Sequence, residues 1–187
     1  MDQLTNKIIF DTDCLCSFLW VEREDIVITL YEGLIVIPDD VYKEIAKVPP
    51  LLKRLNKLID DKKVVTKSIF YGTREYELYK EMTMSPVITK KVIGKGEASA
   101  IALCITNNGI LASNNIRDIM DYVKAYNLTT LFTTEILMEA YKKKIISFEE
   151  GNIIYQKMLD KKRKLPYSSF KELLETLSIK IWLDNLY

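Results

Sequence analysis

Short apolar runs that alternate with helical segments limit the fold of this chain more than any other feature of its sequence. The runs lie at residues 7–10, 34–37, 110–112 and 131–132, with a weaker one at 64–65. Strands that are apolar on both faces are typical of parallel sheets covered by helices on each side. The alternation therefore predicts an α/β fold, a three-layer α/β/α sandwich around a mostly parallel central sheet.

Helical patterns fill most of the chain between these runs. We expect Thr12 or Asp13 to cap the first helix, because both residue types are good N-caps. The pair 49–50 is Pro-Pro and should end the short helix that carries Glu44. Predicted helices cover residues 12–20, 22–31, 39–48, 51–60, 73–82, 96–109, 116–126 and 133–144. Residues 83–95 are predicted to form a loop.

Beyond residue 147 the pattern is helical only, at about 148–163 and 168–180. We therefore divide the chain into a domain at 1–147 and a C-terminal helical extension at 148–187 that packs on the same domain. This extension has three alternative roles: it covers the core, forms the interface of a homodimer, or docks a partner protein.

Length and composition favour one globular domain. With 187 residues, 48% of them hydrophobic, the chain is long enough for one sizeable core. The formal charge of +1 predicts no general affinity for nucleic acid or membrane, so any affinity for phosphate would come from local patches. There is no apolar run of the roughly 18 residues that a membrane span needs, and the N-terminus lacks the pattern of a signal peptide. We expect a cytoplasmic protein with no membrane partner.

The sequence contains no histidine. This absence removes the usual general base, the Ser-His and Cys-His nucleophile pairs, and the commonest ligand of transition metals. The three cysteines, of which Cys14 and Cys16 are two residues apart, predict neither a disulfide framework nor a zinc site. Carboxylates, lysines or a bound metal remain as sources of catalysis.

Three acids stand where a parallel sheet would bring them together. Asp11 follows the first apolar run, Glu44 lies near the apolar stripe of its helix, and Glu97 is in the first turn of an Ala-rich helix. The binding crevice of an open α/β sheet lies beyond the carboxyl ends of its strands. Each acid also has a structural alternative: a capping turn for Asp11, an edge position open to water for Glu44, and a favourable helix dipole for Glu97.

Carboxylates without histidine suggest a site for a hard metal ion. Mg²⁺ and Mn²⁺ take carboxylate oxygens and water as ligands, and such sites activate water for phosphodiester cleavage.

Five segments follow one another in a characteristic order and spacing. They are Ile-Ile-Phe-Asp-Thr-Asp at 8–13, Pro-Asp-Asp-Val-Tyr-Lys-Glu-Ile at 38–45, Gly-Lys-Gly-Glu-Ala-Ser-Ala-Ile-Ala-Leu at 94–103, Ile-Leu-Ala-Ser-Asn-Asn-Ile-Arg-Asp at 110–118 and Leu-Phe-Thr-Thr-Glu-Ile-Leu at 131–137. In these segments the chain resembles PIN domains, and it is most similar to the prokaryotic PIN-like proteins related to the toxins of toxin–antitoxin pairs. The order of the segments carries the resemblance, since no single one is decisive.

The resemblance implies a metal-dependent endoribonuclease that hydrolyses RNA phosphodiester bonds, with an antitoxin protein as a further partner. Mg²⁺ or Mn²⁺ is the implied cofactor. The implied catalytic residues are Asp11, Glu44, Glu97 and Asn115, and the implied metal ligands are Asp11, Glu44 and Glu97, to which we add Asp118 from its place on the helix. The candidate substrate-binding residues are Thr12, Ser113 and Asn114, together with Lys95 from its place beside Glu97.

One position departs from the family pattern. Where PIN domains usually carry Asp in a Thr-Asp-Asp or Thr-Asn-Asp turn, this chain has Ser113, Asn114 and Asn115. An amide can orient water but carries no charge, so the site loses one negative charge that would attract a divalent ion. Asp118, one turn beyond Asn114, can supply the missing carboxylate by reaching back, or is simply a dipole-favoured acid on a solvated turn.

Two functions therefore stay open at this stage. The first is an active ribonuclease, and the second is a catalytically impaired PIN-like protein that binds RNA or a protein partner. Among the basic runs, the cluster of Lys90, Lys91 and Lys95 is close enough to Glu97 in sequence to contact phosphate. The runs at 142–144 and 161–164 are interpreted as solvated surface.

Overall fold

Five parallel strands form one sheet at the centre of the protein. The computed structural model describes residues 6–89 and 91–176, and within them the strand order is β3-β2-β1-β4-β5. The strands are β1 (Ile8–Phe10), β2 (Ile35–Pro38), β3 (Val65–Lys67), β4 (Ile110–Ala112) and β5 (Thr129–Leu131). All four strand pairs are parallel, so the predicted α/β/α sandwich is confirmed.

Helices connect the strands and cover the sheet. They are α1 (Thr12–Trp20), α2 (Glu24–Leu30), α3 (Asp39–Ile45), α4 (Pro49–Asp60), α5 (Arg74–Met84), α6 (Lys95–Asn107), α7 (Ile116–Tyr126), α8 (Thr133–Lys142) and α9 (Phe148–Asp160). Residues 170–176 are also helical. A helix was predicted at 168–180, and the part of it beyond residue 176 lies outside the described residues.

Both faces of the sheet are buried, as the apolar runs predicted. Because successive side chains of a strand point to opposite faces, Ile8 and Phe10 pack into the core on one side, whereas Ile9 packs into the core on the other. In the same way Ile35 and Ile37 pack into the first of these cores and Val36 packs into the second. The predicted buried helix is α6, in which every residue from Ala98 to Cys104 is buried.

The order of the strands places a crevice at the end of β1. The chain passes from β1 to β2 on one side, and it later returns to β4 on the other side of β1. Ligands of open α/β sheets bind at such a switch point, outside the carboxyl ends of the strands. Phe10 pairs with Ala112, so the residues that follow β1 and β4 must lie next to each other.

One local prediction was wrong, and one helix begins two residues earlier than predicted. Asp11, and neither Thr12 nor Asp13, is the N-cap of α1: its backbone is extended, with φ −81° and ψ 170°, and its carboxylate accepts a hydrogen bond from Cys14 N–H at 2.8 Å. The pair Pro49–Pro50 opens α4 as well as following α3, because the first turn of a helix needs no N–H donors from proline.

The segments after α8 pack against the same core as the helices before it. Ile154, Tyr155 and Met158 of α9 are buried in the cluster that also holds Phe10 and Phe170. The division at residue 147/148 stays a prediction. Within the described residues, no helix has both the length and the apolar character that crossing a membrane requires.

Gly151 in α9 tests this packing. An added Cβ would overlap the fully buried ring of Phe170, which is enclosed by Tyr141, Phe148 and Tyr155. Although Gly→Ala normally favours a helix by about 1 kcal/mol, we expect Gly151→Ala to lower the free energy of unfolding by about 1–3 kcal/mol, as overpacking does. Urea denaturation measures the change.

The exposed Gln156 on the same helix provides the control. Gln156→Ala should change the free energy of unfolding by less than about 0.5 kcal/mol. A Gly151→Ala variant that is more stable than the wild type would show that α9 does not pack on Phe170.

Candidate active site

A polar pocket of about 340 Å³ lies at the switch point of the sheet. Its lining comes from the ends of β1 and β4, from α3, from the start of α6 and from the segment that follows α9. The lining residues are Asp11, Thr12, Asp13, Glu44, Gly94, Glu97, Asn114, Asn115 and Lys164. The three acids that were predicted to meet therefore do share one pocket.

Asp11 is the most buried of these acids, with 2% of its surface exposed. It accepts hydrogen bonds from Cys14 N–H and from the hydroxyl of Ser113. Burial raises the pKa of the Asp11 carboxyl to about 7, these two hydrogen bonds oppose the rise, and the charges of Asp13 and Glu97 add to it. The carboxylate is thus held in place but is costly to ionise.

Glu44 reaches the pocket from α3. Its two carboxylate oxygens accept hydrogen bonds from the Thr12 hydroxyl and, at 3.1 Å, from Gly96 N–H. A glycine is required at position 96, since an added Cβ would lie 2.8 Å from Glu44 Oε2 and 2.9 Å from Thr12 Oγ1. The close approach of α6 to α3 at this glycine fixes the position of the Glu44 carboxylate.

Glu97 lies in the first turn of α6. One of its oxygens accepts a hydrogen bond from Gly94 N–H at 3.2 Å, and the other accepts one from the amide of Asn115. Burial raises the pKa of Glu97, the two hydrogen bonds lower it, and the charges of Asp118 and Glu44 raise it further. Glu97 therefore has a capping contact and also faces the other acids.

Asn115 joins two carboxylates. Its Nδ2 donates to Glu97 and also to Asp118 Oδ2, the latter at 2.8 Å. Asp118 reaches back toward the turn, which was one of its two alternatives, but it is not part of the pocket lining, and its role as a metal ligand stays a prediction. On its other side Asp118 lies 4.0 Å from the ammonium of Lys91.

Asn114 is used differently from Asn115. Its Oδ1 accepts a hydrogen bond from Thr133 N–H at 3.0 Å, and its Nδ2 donates to Thr133 Oγ1 at 2.8 Å and to Ser17 Oγ at 3.3 Å. These contacts tie the turn after β4 to the first residue of α8 and to α1. The side chain positions the turn, and its predicted contact with substrate stays a prediction.

The lysine in the pocket is not the one that sequence distance suggested. Lys95 is exposed at the start of α6 and does not line the pocket, whereas Lys164 does. Lys164 belongs to a run that was interpreted as solvated surface. The local sequence does not predict this placement, because Lys164 and Asp13, which both line the pocket, are about 150 residues apart along the chain. The 3.3 Å ion pair between Arg163 and Asp13 joins the same two regions.

The donor chemistry fits a hard divalent ion. The pocket presents carboxylate oxygens from Asp11, Glu44 and Glu97, the ligand type that Mg²⁺ and Mn²⁺ prefer. The charge of Glu97 adds to the rise in the pKa of Asp11, and the charge of Glu44 adds to the rise in that of Glu97. In residues 6–89 and 91–176, however, no group of three or more acids or cysteines is arranged as a ready metal cluster. Neutral donors hold the three carboxylates instead.

The sequence matches the model of a known protein family. A family model described as a PIN domain matches residues 7–178, which is nearly the whole chain. The match crosses the boundary predicted at residue 147/148. A comparison with curated proteins found no match.

Replacement of Asp11 should reveal the cost of burying its charge. In the folded protein the pKa is about 7, above the ordinary value of 3.8, so the folded state binds more protons between about pH 4 and pH 7. The Asp11 contribution to stability is therefore lost as pH rises through this window. Asp11→Asn, which keeps a good cap, should raise the free energy of unfolding near pH 8 by up to about 4 kcal/mol, at about 1.4 kcal/mol per pKa unit.

Urea denaturation between about pH 4 and pH 8 measures this difference, which should shrink toward acid pH. Asp121→Asn is the matched control, because Asp121 is exposed on α7. A stability gain that does not change with pH, or an equal gain in the control, would contradict the assignment of a raised pKa to Asp11.

Proposed function

Because the chain belongs to the PIN-domain family, we propose that it is a metal-dependent endoribonuclease that hydrolyses RNA phosphodiester bonds in the pocket at the end of β1. Membership of this family indicates a nuclease-like function in general, and PIN domains generally use divalent metal ions and act on RNA. The observation that supports the proposal most is the meeting of Asp11, Glu44 and Glu97, from three separate elements, in one pocket.

Asp11, Glu44 and Glu97 are the residues that would hold Mg²⁺ or Mn²⁺, with Asp118 as a further ligand. A bound ion of this kind stabilises charge on a phosphate and lowers the pKa of water. Ser113 and Cys14 N–H fix the Asp11 carboxylate, while Thr12 and Gly96 N–H fix that of Glu44. Such fixed side chains lose little freedom when a ligand arrives.

The residues around the carboxylates would position the substrate. Thr12 and Asn115 line the pocket, and the Ser113 hydroxyl donates a hydrogen bond to Asp11. Asn115, in the catalytic set, would orient water or phosphate through its amide. Lys95 would contact the RNA backbone from the exposed start of α6.

A toxin of a toxin–antitoxin pair is the biological setting that we propose, and this part rests on family resemblance alone. An antitoxin protein is then a partner, and a homodimer is a further possible assembly. The C-terminal extension predicted at 148–187, added to the domain predicted at 1–147, would offer a surface for either.

One observation favours a second function. The Asn115 amide donates to both Glu97 and Asp118, so it occupies carboxylate lone pairs that an ion would use. A PIN-like protein in which this amide has impaired catalysis, and which binds RNA or a protein partner, is the alternative.

RNA cleavage distinguishes the two functions. We expect the purified protein to cut labelled single-stranded RNA with Mn²⁺ or Mg²⁺ but not with EDTA. Asp11→Asn, Glu44→Gln and Glu97→Gln should each lower the rate at least about a hundredfold, as loss of a metal ligand or its support does. Gel analysis of the products measures the rates.

Asn115→Asp is the informative variant, because it restores the acid that the family usually carries. A rate above that of the wild type would show that the pocket is a nuclease site limited by its charge, and an equal rate would show that the acids already present suffice. No cutting by the wild type together with restored cutting by Asn115→Asp would support the impaired protein, and no cutting by either, with both folded, would contradict a nuclease pocket.

Metal binding can be measured without any reaction. A ligand that binds only the folded state stabilises it, by about 2.7 kcal/mol at a concentration one hundred times Kd. We expect Mn²⁺ to raise the Tm of the wild type by roughly 5–10 °C under such conditions, from about 2–4 °C per kcal/mol for a chain of this size. Asp11→Asn should show no such shift, and Asn115→Asp should reach it at a lower Mn²⁺ concentration.

The exposed acid Asp121 again provides the control, since Asp121→Asn should respond to Mn²⁺ as the wild type does. Equal shifts in Asp11→Asn and the wild type would place the bound ion elsewhere on the protein.

A further inference from the structure

The chain that follows α9 runs back along α1 toward the acidic pocket. Lys161 Nζ lies 5.3 Å from the centre of the Trp20 ring, at the last residue of α1. Arg163 pairs with Asp13, in the first turn of α1, and Lys164 lines the pocket. The basic segment 161–164 therefore lies alongside α1 and runs from the C-terminal end of this helix to its N-terminal end.

An ion pair anchors this segment next to the pocket. Arg163 Nη1 lies 3.3 Å from Asp13 Oδ1, and the two side chains are 22% and 46% exposed, so the pair is only partly screened by water. Asp13 is itself a pocket residue, two positions after Asp11. Arg163 is thereby used as an anchor, and Lys164 remains as the cation at the pocket.

Lys164 has the properties of a phosphate-binding side chain. It is exposed, and within residues 6–89 and 91–176 no carboxylate oxygen lies within 4.0 Å of its ammonium. A lysine that is not neutralised by a protein carboxylate is free to contact a phosphate and displace its counterions. Lys91, in contrast, lies beside Asp118.

We propose that Lys164 binds a backbone phosphate of the RNA at the carboxylate pocket, with Arg163 as the residue that positions it, an inference that rests on the proposed nuclease function. RNA would then approach the pocket along the side of α1 and the segment 161–164. A cation beside the carboxylates also reduces their repulsion of a polyanion. Phosphate contacts fix the register of a nucleic acid without reading its sequence, so this site favours no particular base.

Equilibrium binding of a fluorescein-labelled oligouridylate tests the proposal. Fluorescence anisotropy with EDTA present prevents metal-dependent cleavage, and the full chain is used at several salt concentrations. Lys164→Gln should weaken binding roughly fivefold, which is about 1 kcal/mol. The plot of log K against log salt concentration should become less steep, its negative slope decreasing in magnitude by about 0.7, the value for one phosphate contact to a single strand.

Two matched variants separate this contact from general charge. Lys162→Gln removes the same charge from an exposed position of the same run that does not line the pocket, and it should change binding by less than about twofold. Lys164→Arg, which keeps the charge, should bind as the wild type does. Equal losses in Lys162→Gln and Lys164→Gln would overturn the proposal, as would unchanged binding in Lys164→Gln.

The positioning role of Arg163 is tested by a double-mutant cycle. If Arg163 acts through Lys164, the loss of affinity in Arg163→Gln with Lys164→Gln will be smaller than the product of the two single losses. Losses that multiply would assign Arg163 a contact of its own and overturn its role as a positioning residue.

Cleavage kinetics keep this inference separate from the nuclease proposal. With Mn²⁺ we expect Lys164→Gln to raise KM with little change in kcat, the result for loss of an interaction made equally in ground and transition states. Binding that depends on Lys164 in a protein that does not cut RNA would contradict the nuclease alone. Cutting with an unchanged KM in Lys164→Gln would contradict this inference alone.

Discussion

The hydrogen bonds of one buried carboxylate hold the pocket together. Asp11 follows β1, caps α1 through Cys14 N–H, and accepts from Ser113 after β4. It thereby links two neighbouring strands and the helix that covers them at the point where the strand order changes direction. A charge buried this deeply is tolerated only with such partners, so the turn after β4 must keep its position for Asp11 to keep its own.

The other two acids of the pocket are also held by hydrogen bonds. Thr12 and Gly96 N–H hold Glu44, and Gly94 N–H and Asn115 hold Glu97. Each carboxylate is satisfied by a neutral donor, which orients it but does not cancel its charge. Burial is the main cause of the raised pKa values of Asp11 and Glu97, and the neighbouring acids add to the rise. A cation in the pocket would relieve this repulsion between the acids. Because residue 115 is Asn where PIN domains usually carry Asp, the pocket has one negative charge fewer to attract a cation.

The sequence predicted the centre of the sheet better than its edges. Strands β1, β2 and β4 lie within one residue of the predicted runs, because burial on both faces requires continuous apolar residues. The edge strand β5 was predicted at 131–132 but occupies Thr129–Leu131, and β3 begins at Val65, which is 55% exposed. An edge strand is partly open to solvent, so its pairing leaves a weak hydrophobic pattern.

Chemistry and rough position were thus set by the sequence alone: an α/β sandwich without histidine, with Asp11, Glu44 and Glu97 near the ends of strands and an amide at position 115. The tertiary structure decided which neutral donor holds each acid, that Asn114 faces α8 while Asn115 faces the acids, and that Lys164 lines the pocket where Lys95 was expected. The physical reason is that residue type and periodicity are local properties, whereas these contacts join positions brought together by strand order and helix packing. Ser113 and Asp11, for example, are 102 residues apart in the chain and meet only because β4 pairs with β1.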